Sequence, residues 1–408
     1  MCSISLTLVV VANRTKASSL FRCQIATWSI AYSGLVAQHT GTDQPATRFR
    51  RLLHIDLDQF QVSAERLRRP DLVGAPVIVG GDGDPSRPRQ VVTCASYEAR
   101  AAGARAGLPM PAARRKCPDA VFLPLDMEFY EETSAAVMDV IRSFGHPVEV
   151  WGWDEAYIGV DPRDEPATLD AHGVTELAHS VRRAVRDRTG LPCCLGISDN
   201  KQRAKMAAGF AKAAVREPDA PDEARVFTLD DGNWNELMGP RPTRDLWSVG
   251  PKTARKLADR GIDTVAQLQA VDRDDLIALF GPSQGNWLYV LCRGGGDDAI
   301  ATAPWIAKSH SKSNTYPADL TSRDDLSAAA GELTREVLDQ VIQEGRIPFR
   351  VGLTVRTSTF YTRTKMRKLA APGTDYDAIA PVVADLLDAF DLDRPVRLLA
   401  VRLELLDP

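Results

Sequence analysis

The 408-residue sequence has no apolar run long enough to cross a bilayer, so no membrane-spanning helix is expected. Its seven cysteines form no C-x-x-C pair, and its six histidines form no zinc pattern. Those absences remove zinc modules and disulfide scaffolds and fit a reducing cytoplasm. Cys193-Cys194 reads as buried strand. Neither sign of charge dominates. Lys and Arg total 50 against 54 Asp and Glu, a net −4, so a nucleic-acid partner has to be read from local charge. Repeats and low-complexity tracts are also missing. A hydrophobic content of 44% and a charged content of 25% are ordinary for a soluble globular protein. At about 100–200 residues per domain, the length suggests two to four domains. Residues 4–12 resemble a short signal h-region, but no positive charge precedes them. Regular patterning begins near Arg51. Residues 1–50 are therefore expected to be an N-terminal extension, disordered or the product of a start codon placed too far upstream.

From Arg51 onward, short apolar runs alternate with helical periods, predicting an α+β multi-domain protein. Strands are expected at 51–57, 76–80, 91–95, 121–123 and 193–197. Residues 148–151 and 156–160 read as a hairpin. Helices are expected at 59–69, 96–104, 109–117, 126–144, 168–188 and 200–212. Residues 213–224 read as a linker, 230–295 as short helices and 297–311 as a second linker. The last hundred residues alternate helix 324–343, strand 349–357, strand 359–368, helix 375–390 and strand 395–405, an independent α+β domain.

Two acidic segments sit at the ends of apolar strands. The first is His54-Ile-Asp-Leu-Asp-Gln-Phe-Gln61, preceded by Leu52-Leu53; the second is Trp153-Asp-Glu-Ala-Tyr157, preceded by Val150-Trp151-Gly152. A fold that joins Asp56, Asp154 and Glu155 makes a site for hard cations, suited to phosphoryl transfer. In a polymerase-type reaction a primer 3′-hydroxyl attacks the α-phosphate of a nucleoside triphosphate. Two Mg²⁺ ions, with Mn²⁺ as a substitute, can activate the hydroxyl and neutralise the pyrophosphate. Asp56 and Asp154 would bridge both ions, Glu155 would hold the one nearest the primer, and the Leu57 carbonyl could complete the other.

With these motifs the chain resembles the Y-family translesion DNA polymerases, specifically the DinB-type (DNA polymerase IV) group. The family's H-[IV]-D-x-D-x-F segment stands at His54–Phe60. Its S-x-D-E-A segment stands at Gly152-Trp-Asp-Glu-Ala156, with glycine in the usual serine position. Its Y-E-A-R segment stands at Tyr97–Arg100, followed by Gly107-Leu-Pro-Met110 and Cys117-Pro-Asp119. Its G-[IV]-[SA]-x-N-K-x-x-A-K segment stands at Gly196–Lys205. The resemblance implies a right hand: a palm at 51–60 and 121–212, small fingers at 61–120, a helical thumb at 225–296 and an α+β little finger at 312–408. It implies low-fidelity, template-dependent synthesis past damaged bases on primer-template DNA, by a cytoplasmic monomer using dNTPs. By the same resemblance Tyr97, Arg100 and Lys201 hold the triphosphate and Phe60 belongs to the nucleotide site. A guanidinium fork and an ammonium suit β- and γ-phosphates. A non-catalytic polymerase-like DNA-binding accessory protein is the competing class; the presence of all three carboxylates and the phosphate trio argues against it.

Two segments carry the charge expected of DNA contact. Val249-Gly-Pro-Lys-Thr-Ala-Arg255 reads as a helix-hairpin-helix: Gly250 permits a tight turn, Pro251 suits a first helical position, and the amides at Lys252 and Thr253, with Lys252 and Arg255 adding charge, meet a backbone phosphate. Gly345 to Thr374 lacks any acidic residue. Arg350 and Arg356 share parity on one predicted strand, and Arg363, Lys365 and Arg367 share it on the next, as expected of a cationic β-ribbon along duplex phosphates. No terminal Q-L-x-L-F-type segment is present, so a sliding-clamp partner is not expected through that route. The chain departs from the family at Gln61, where an aromatic ring ordinarily blocks a 2′-hydroxyl. A narrower amide that can hydrogen-bond to that hydroxyl predicts weak exclusion of ribonucleotides. It also departs after Lys212, where Ala213 and an acidic, proline-containing stretch replace Lys-Pro-x-Gly.

Overall fold

The computed structural model describes residues 47–216, 220–303 and 305–407. Its contacts divide into a unit ending at His310 and a unit of Ser311–Glu404.

In the first unit, β1 (Thr47–Leu57) leads into α1 (Phe60–Arg68), β2 (Val77–Gly80), β3 (Val92–Ala95), α2 (Tyr97–Ala101), α3 (Met110–Lys116) and β4 (Val121–Leu123). Next come α4 (Met127–Arg142), β5 (Val148–Val150), β6 (Glu155–Pro162), α5 (Ala171–Thr189), β7 (Cys193–Ser198), α6 (Lys201–Ala214) and β8 (Val226–Thr228). Short helices α7 (Trp234–Met238), α8 (Pro251–Ala258), α9 (Val265–Gln269), α10 (Arg273–Phe280) and α11 (Pro282–Cys292) precede β9 (Ala299–Ile300). The main sheet runs β5-β6-β1-β7-β8, with β9 paired to β1, and a small sheet runs β3-β2-β4.

Alternation along β1 decides what the site rests on. Leu53, Ile55 and Leu57 point into a core shared with Tyr130, Val137 and Ile141 of α4 and Val174, Ala178 and Val181 of α5. Leu52 points the other way, into a cluster with Tyr157 and Ala204 of α6. By the two-residue period His54 and Asp56 share that second face. Helix α6 lies close on it because β7 offers a glycine: a Cβ on Gly196 would stand 2.0 Å from the Ala204 carbonyl oxygen and 2.3 Å from the Ala208 nitrogen. Only a residue without a side chain lets the helix pack so near.

Strand β1 starts four residues before the expected boundary at 51. Phe49 is buried, and its amide donates to the Asp298 carbonyl oxygen at 2.9 Å. The rest of the expected extension, residues 1–46, lies outside the described residues. The expected linker 297–311 is in its first part a tethered strand. Asp298 binds Arg48 and Arg163, each at 2.7 Å, and the Ala301 amide donates to Glu149 at 2.7 Å.

The second unit contains β10 (Ser309–Leu320), α12 (Arg323–Gln343), β11 (Pro348–Thr357), β12 (Thr362–Lys368), α13 (Tyr376–Asp388) and β13 (Val396–Leu405), with sheet order β10-β13-β11-β12. Strand β10 has no counterpart among the expected elements. It is rich in Ser, Asn and Thr, carries Pro317 and shows no clear alternation of burial. Its edge position tolerates the proline, which could not serve a central ladder.

Candidate active site

Register places Asp56 on β1 opposite Glu155 on β6. The Leu57 amide donates to the Asp154 carbonyl oxygen at 2.8 Å, so the adjacent carboxylate is fixed to the same strand end. Beneath them His54 is fully buried, with Nε2 3.3 Å from Glu155 Oε2. Burial lowers its pKa and keeps the imidazole neutral.

Helix α6 supplies the opposing charge. Lys205 pairs with Glu155, and Lys212 pairs with Asp56 and donates to the Leu57 carbonyl at 3.0 Å. Burial opposes the charge on Lys212, but Asp56 and Asp58 outweigh it and raise its pKa. Burial likewise works against Glu155, yet His54 and Lys205 hold its carboxyl well below the usual range. Asp154 has no such cation of its own. Burial and the neighbouring Asp56 and Glu155 push it up to about 6.

A second cluster adjoins the first. Asp58 is buried, accepts from Tyr97 Oη at 3.0 Å and from Arg225 Nη1 at 2.6 Å, and lies 3.9 Å from Lys212 Nζ. Burial and Asp58 push the Tyr97 phenol up to about 12, so it stays a donor. The Arg216 guanidinium lies 4.8 Å from the Tyr97 ring centre and that of Arg100 5.4 Å. Tyr97 is anchored at its other end by Gln59, whose Oε1 accepts the Tyr97 amide at 2.7 Å.

The sequence expectations fare unevenly against this geometry. Asp56, Leu57, Asp154 and Glu155 come together at one strand end, with Tyr97 bonded to the neighbouring Asp58 and Arg100 close to the Tyr97 ring. Lys201 does not join them. It is 1% exposed and bound by Glu149 at 2.9 Å and Asp297 at 3.0 Å, a structural tie between α6 and the segment before β9. The cations at the carboxylates are Lys205 and, two helical turns later, Lys212. Positions 201, 205 and 212 fall on one side of a helix, which is the sequence signal that could have identified them. Phe60 is also displaced from its expected role: its ring is buried in the core, 6.2 Å from that of Tyr130. Gln61 is half-buried and takes a hydrogen bond from Thr93 Oγ1 at 2.7 Å.

The expected DNA-contact residues change as well. Gly250 is extended (φ −79°), so it needs no glycine freedom. The positive φ values fall at Ser248 and Gly261. Lys252 and Arg255 are exposed on α8, while Thr253 Oγ1 accepts from Gln284 at 3.2 Å. In the β-ribbon, register pairs Val351 with Arg367, Leu353 with Lys365 and Val355 with Arg363. Val351, Leu353 and Val355 are buried, so the β12 trio lies on the core-side face of the sheet, at its rim. Arg367 binds Asp385 of α13 at 2.6 Å, and Lys365 reaches the Ala389 carbonyl. Arg350 and Arg356 occupy the opposite face with Lys368. The ribbon therefore does not present all five cations to one duplex.

The donors Asp56, Asp154, Glu155 and the Leu57 carbonyl are all hard oxygens, the set that suits Mg²⁺ or Mn²⁺. Among the described residues no three acidic, histidine or cysteine groups close into a preformed cage. Residues 55–209 match the impB/mucB/samB family, residues 307–408 match that family's C-terminal domain, and residues 244–296 match the thumb domain of DNA polymerase-iota. DNA polymerase IV 2 of Mycobacterium tuberculosis is 50% identical over 363 residues, 88% of this chain and 99% of the relative. DNA polymerase IV of Methanoculleus marisnigri is 34% identical over 361 residues, 88% of this chain and 96% of the relative.

The chain belongs to the DNA polymerase IV group of the Y-family. It is a DNA-directed DNA polymerase of the translesion class. The fold agrees: a Y-family DNA polymerase chimera of Dbh and Dpo4 superposes with a TM-score of 0.73 at 21% identity, covering 87% of this chain and 98% of the other. The polymerase thus has the palm, thumb and little finger architecture.

Two outcomes are expected from the charge arrangement. Lys212→Ala should raise the dNTP KM about tenfold or more, through loss of a charge-assisted contact. Lys201→Met should instead cost on the order of 3 kcal/mol of stability, because it removes the buried ammonium that Glu149 and Asp297 share. Single-nucleotide kinetics and thermal melts of both variants separate the two roles, and a matching KM increase in Lys201→Met would return that residue to the nucleotide site. For Asp154, the native carboxyl titrates near 6 and the unfolded one near the ordinary value of 3.8. Between these values the native state binds more protons, so metal-free stability falls as pH rises through that window. Asp154→Asn should therefore melt higher than wild type at about pH 7.5, with the gain shrinking toward about pH 4.5. An unchanged or lower melting point at the higher pH would contradict the assignment.

Proposed function

We propose that the polymerase adds nucleotides to a primer 3′-hydroxyl by two-metal phosphoryl transfer at Asp56, Asp154 and Glu155, with weak exclusion of ribonucleotides. The observation that carries the reading is the strand register that sets Asp56 against Glu155 beside Asp154, with lysine ammonium groups on the oxygens a divalent ion would take. Asp56, Asp154, Glu155 and the Leu57 carbonyl would hold two Mg²⁺ ions, with Mn²⁺ able to substitute. The ions supply Lewis-acid charge neutralisation at the reacting phosphate and its leaving group.

The chain's own groups do the rest. Lys212, Tyr97 and Arg100 bind the β- and γ-phosphates, aided by Arg216, which lies over the Tyr97 ring, and by Arg225, which is bonded to Asp58. As the hydroxyl oxygen gives up its proton to solvent and bonds to the α-phosphorus, the bond from that phosphorus to the bridging oxygen breaks and pyrophosphate leaves into this cationic surround. His54, neutral and buried, fixes Glu155 and carries no proton away.

The palm comprises residues 47–60 and 121–212, the fingers 61–120, the thumb 225–296 and the little finger 312–408. The thumb holds duplex phosphates through the turn at Gly250, Lys252, Thr253 and Arg255. The little finger does so through the face bearing Arg350, Arg356 and Lys368. The polymerase is proposed to work as a cytoplasmic monomer; among the described residues no helix is long and apolar enough to cross a membrane.

Gln61 stands one residue into α1, where the family places an aromatic ring under the sugar. It is narrower than a ring, and its amide can bond to a 2′-hydroxyl. Primer extension with Asp154→Ala as control tests the chemistry, and no extension by the wild type under Mg²⁺ or Mn²⁺ would defeat it. Comparable single-nucleotide insertion of rCTP and dCTP is the expected result for sugar choice. Gln61→Phe should lower the rCTP efficiency at least about a hundredfold, or some 2.7 kcal/mol. Strong exclusion of rCTP by the wild type would sink the ribonucleotide reading.

A further inference from the structure

Gln61 does not sit alone. Its side chain crosses from the start of α1 to β3, where Thr93 Oγ1 stands 2.7 Å from Gln61 Oε1 and 3.0 Å from the Val79 carbonyl oxygen of β2. Both side chains are half-buried. The next residue, Cys94, is buried.

We propose that Thr93 is a positioning residue that holds Gln61 open to ribose and so helps set sugar selectivity. The inference rests on the reading of Gln61 as the residue beneath the sugar. The threonine hydroxyl has one proton and two acceptors within reach. If the proton goes to Gln61 Oε1, the amide NH₂ of Gln61 is left over. If it goes to the Val79 carbonyl, the amide turns over, its NH₂ donates to Thr93 Oγ1, and Oε1 is left over. The two states have nearly the same heavy-atom positions.

In either state one edge of the amide remains for a third partner. A ribose 2′-hydroxyl both donates and accepts, so it can satisfy that edge whichever way the amide lies. A deoxyribose C–H can satisfy neither. The tether also removes rotamers in which the glutamine side chain would swing into the space beside the sugar. Selectivity on this account comes from a two-residue device, in which an amide supplies the contact and a threonine on a different element fixes where it points.

Single-nucleotide insertion of rCTP and dCTP opposite template G, by the full chain with Mg²⁺, tests the device. Thr93→Val keeps shape and strand propensity but removes the hydroxyl. It should lower the ratio of rCTP to dCTP efficiency by about threefold to tenfold, the worth of one hydrogen bond. Its dCTP efficiency should stay within about twofold of wild type, since only the ribose contact depends on the tether. Thr93→Ser should keep the wild-type ratio. Gln61→Met, which cannot bond to Thr93 or to a hydroxyl, should show a drop at least as large as Thr93→Val. Adding Thr93→Val to it should change nothing further, because the two residues act as one unit. If Gln61→Phe shifts the ratio while Thr93→Val leaves it at the wild-type value, the role of Thr93 is overturned and the reading of Gln61 survives. If Gln61→Phe leaves the ratio unmoved, the reading of Gln61 itself fails. Equal losses of rCTP and dCTP insertion in Thr93→Val would mark Thr93 as merely structural and would also overturn the inference.

Discussion

Carboxylates at the ends of neighbouring strands repel one another, and the first unit is organised around containing that repulsion. The antiparallel register of β1 with β6 forces Asp56 and Glu155 together beside Asp154. Close packing of α6 on Gly196 brings Lys205 and Lys212 over them. Two of the three carboxylates are thereby paired, and the third is left with a pKa near 6. Such a group destabilises the metal-free protein and rewards a divalent cation that arrives. The lysine ammonium groups sit on oxygens that a metal ion would take, so the site is electrostatically complete enough to fold but not saturated. Activity and stability pull in opposite directions at Asp154, a common arrangement at functional sites.

A second buried carboxylate, Asp58, gathers cationic and donor groups as the three carboxylates gather the lysines. It is an acceptor for Tyr97 and Arg225 and a near neighbour of Lys212. Groups from β1, α2, α6 and the segment before β8 meet at this one side chain. The D-x-D spacing thus splits its labour: the first aspartate lies beside Glu155 and pairs with Lys212, and the second gathers Tyr97, Arg225 and Lys212.

The strands and the carboxylates were legible because an apolar run ending in an acid is a local signal. Leu52-Leu53-His54-Ile55 marks β1 without any knowledge of its neighbours. Lys212 was harder to read, since the Asn-Lys pair in the motif drew attention to Lys201. The spacing of 201, 205 and 212 nevertheless puts all three lysines on one helix face, and only burial by Glu149 and Asp297 tells which end is structural. Strand β10 was not legible: Ser309–Leu320 has no apolar alternation and only Thr315 and Tyr316 as strong β-formers, and its place at a sheet edge asks for little more. The β-ribbon shows where periodicity stops. Parity correctly grouped Arg350 with Arg356 and Arg363 with Lys365 and Arg367, but which face each group takes depends on register between strands, and a pairing of Leu353 with Lys365 put them on opposite sides. Thr93 carried no signal at all, because its partner is distant in sequence and the contact is a single hydrogen bond.

The central claim is that the register of β1 and β6 builds a divalent-cation site from Asp56, Asp154 and Glu155. Mn²⁺ titration followed by electron paramagnetic resonance tests it most directly, using the polymerase with primer-template DNA and a non-hydrolysable nucleotide. The account predicts two bound ions per wild-type chain and loss of at least one in Asp56→Ala. Binding in Asp56→Ala equal to that of the wild type, or no specific Mn²⁺ binding by the wild type, would contradict it.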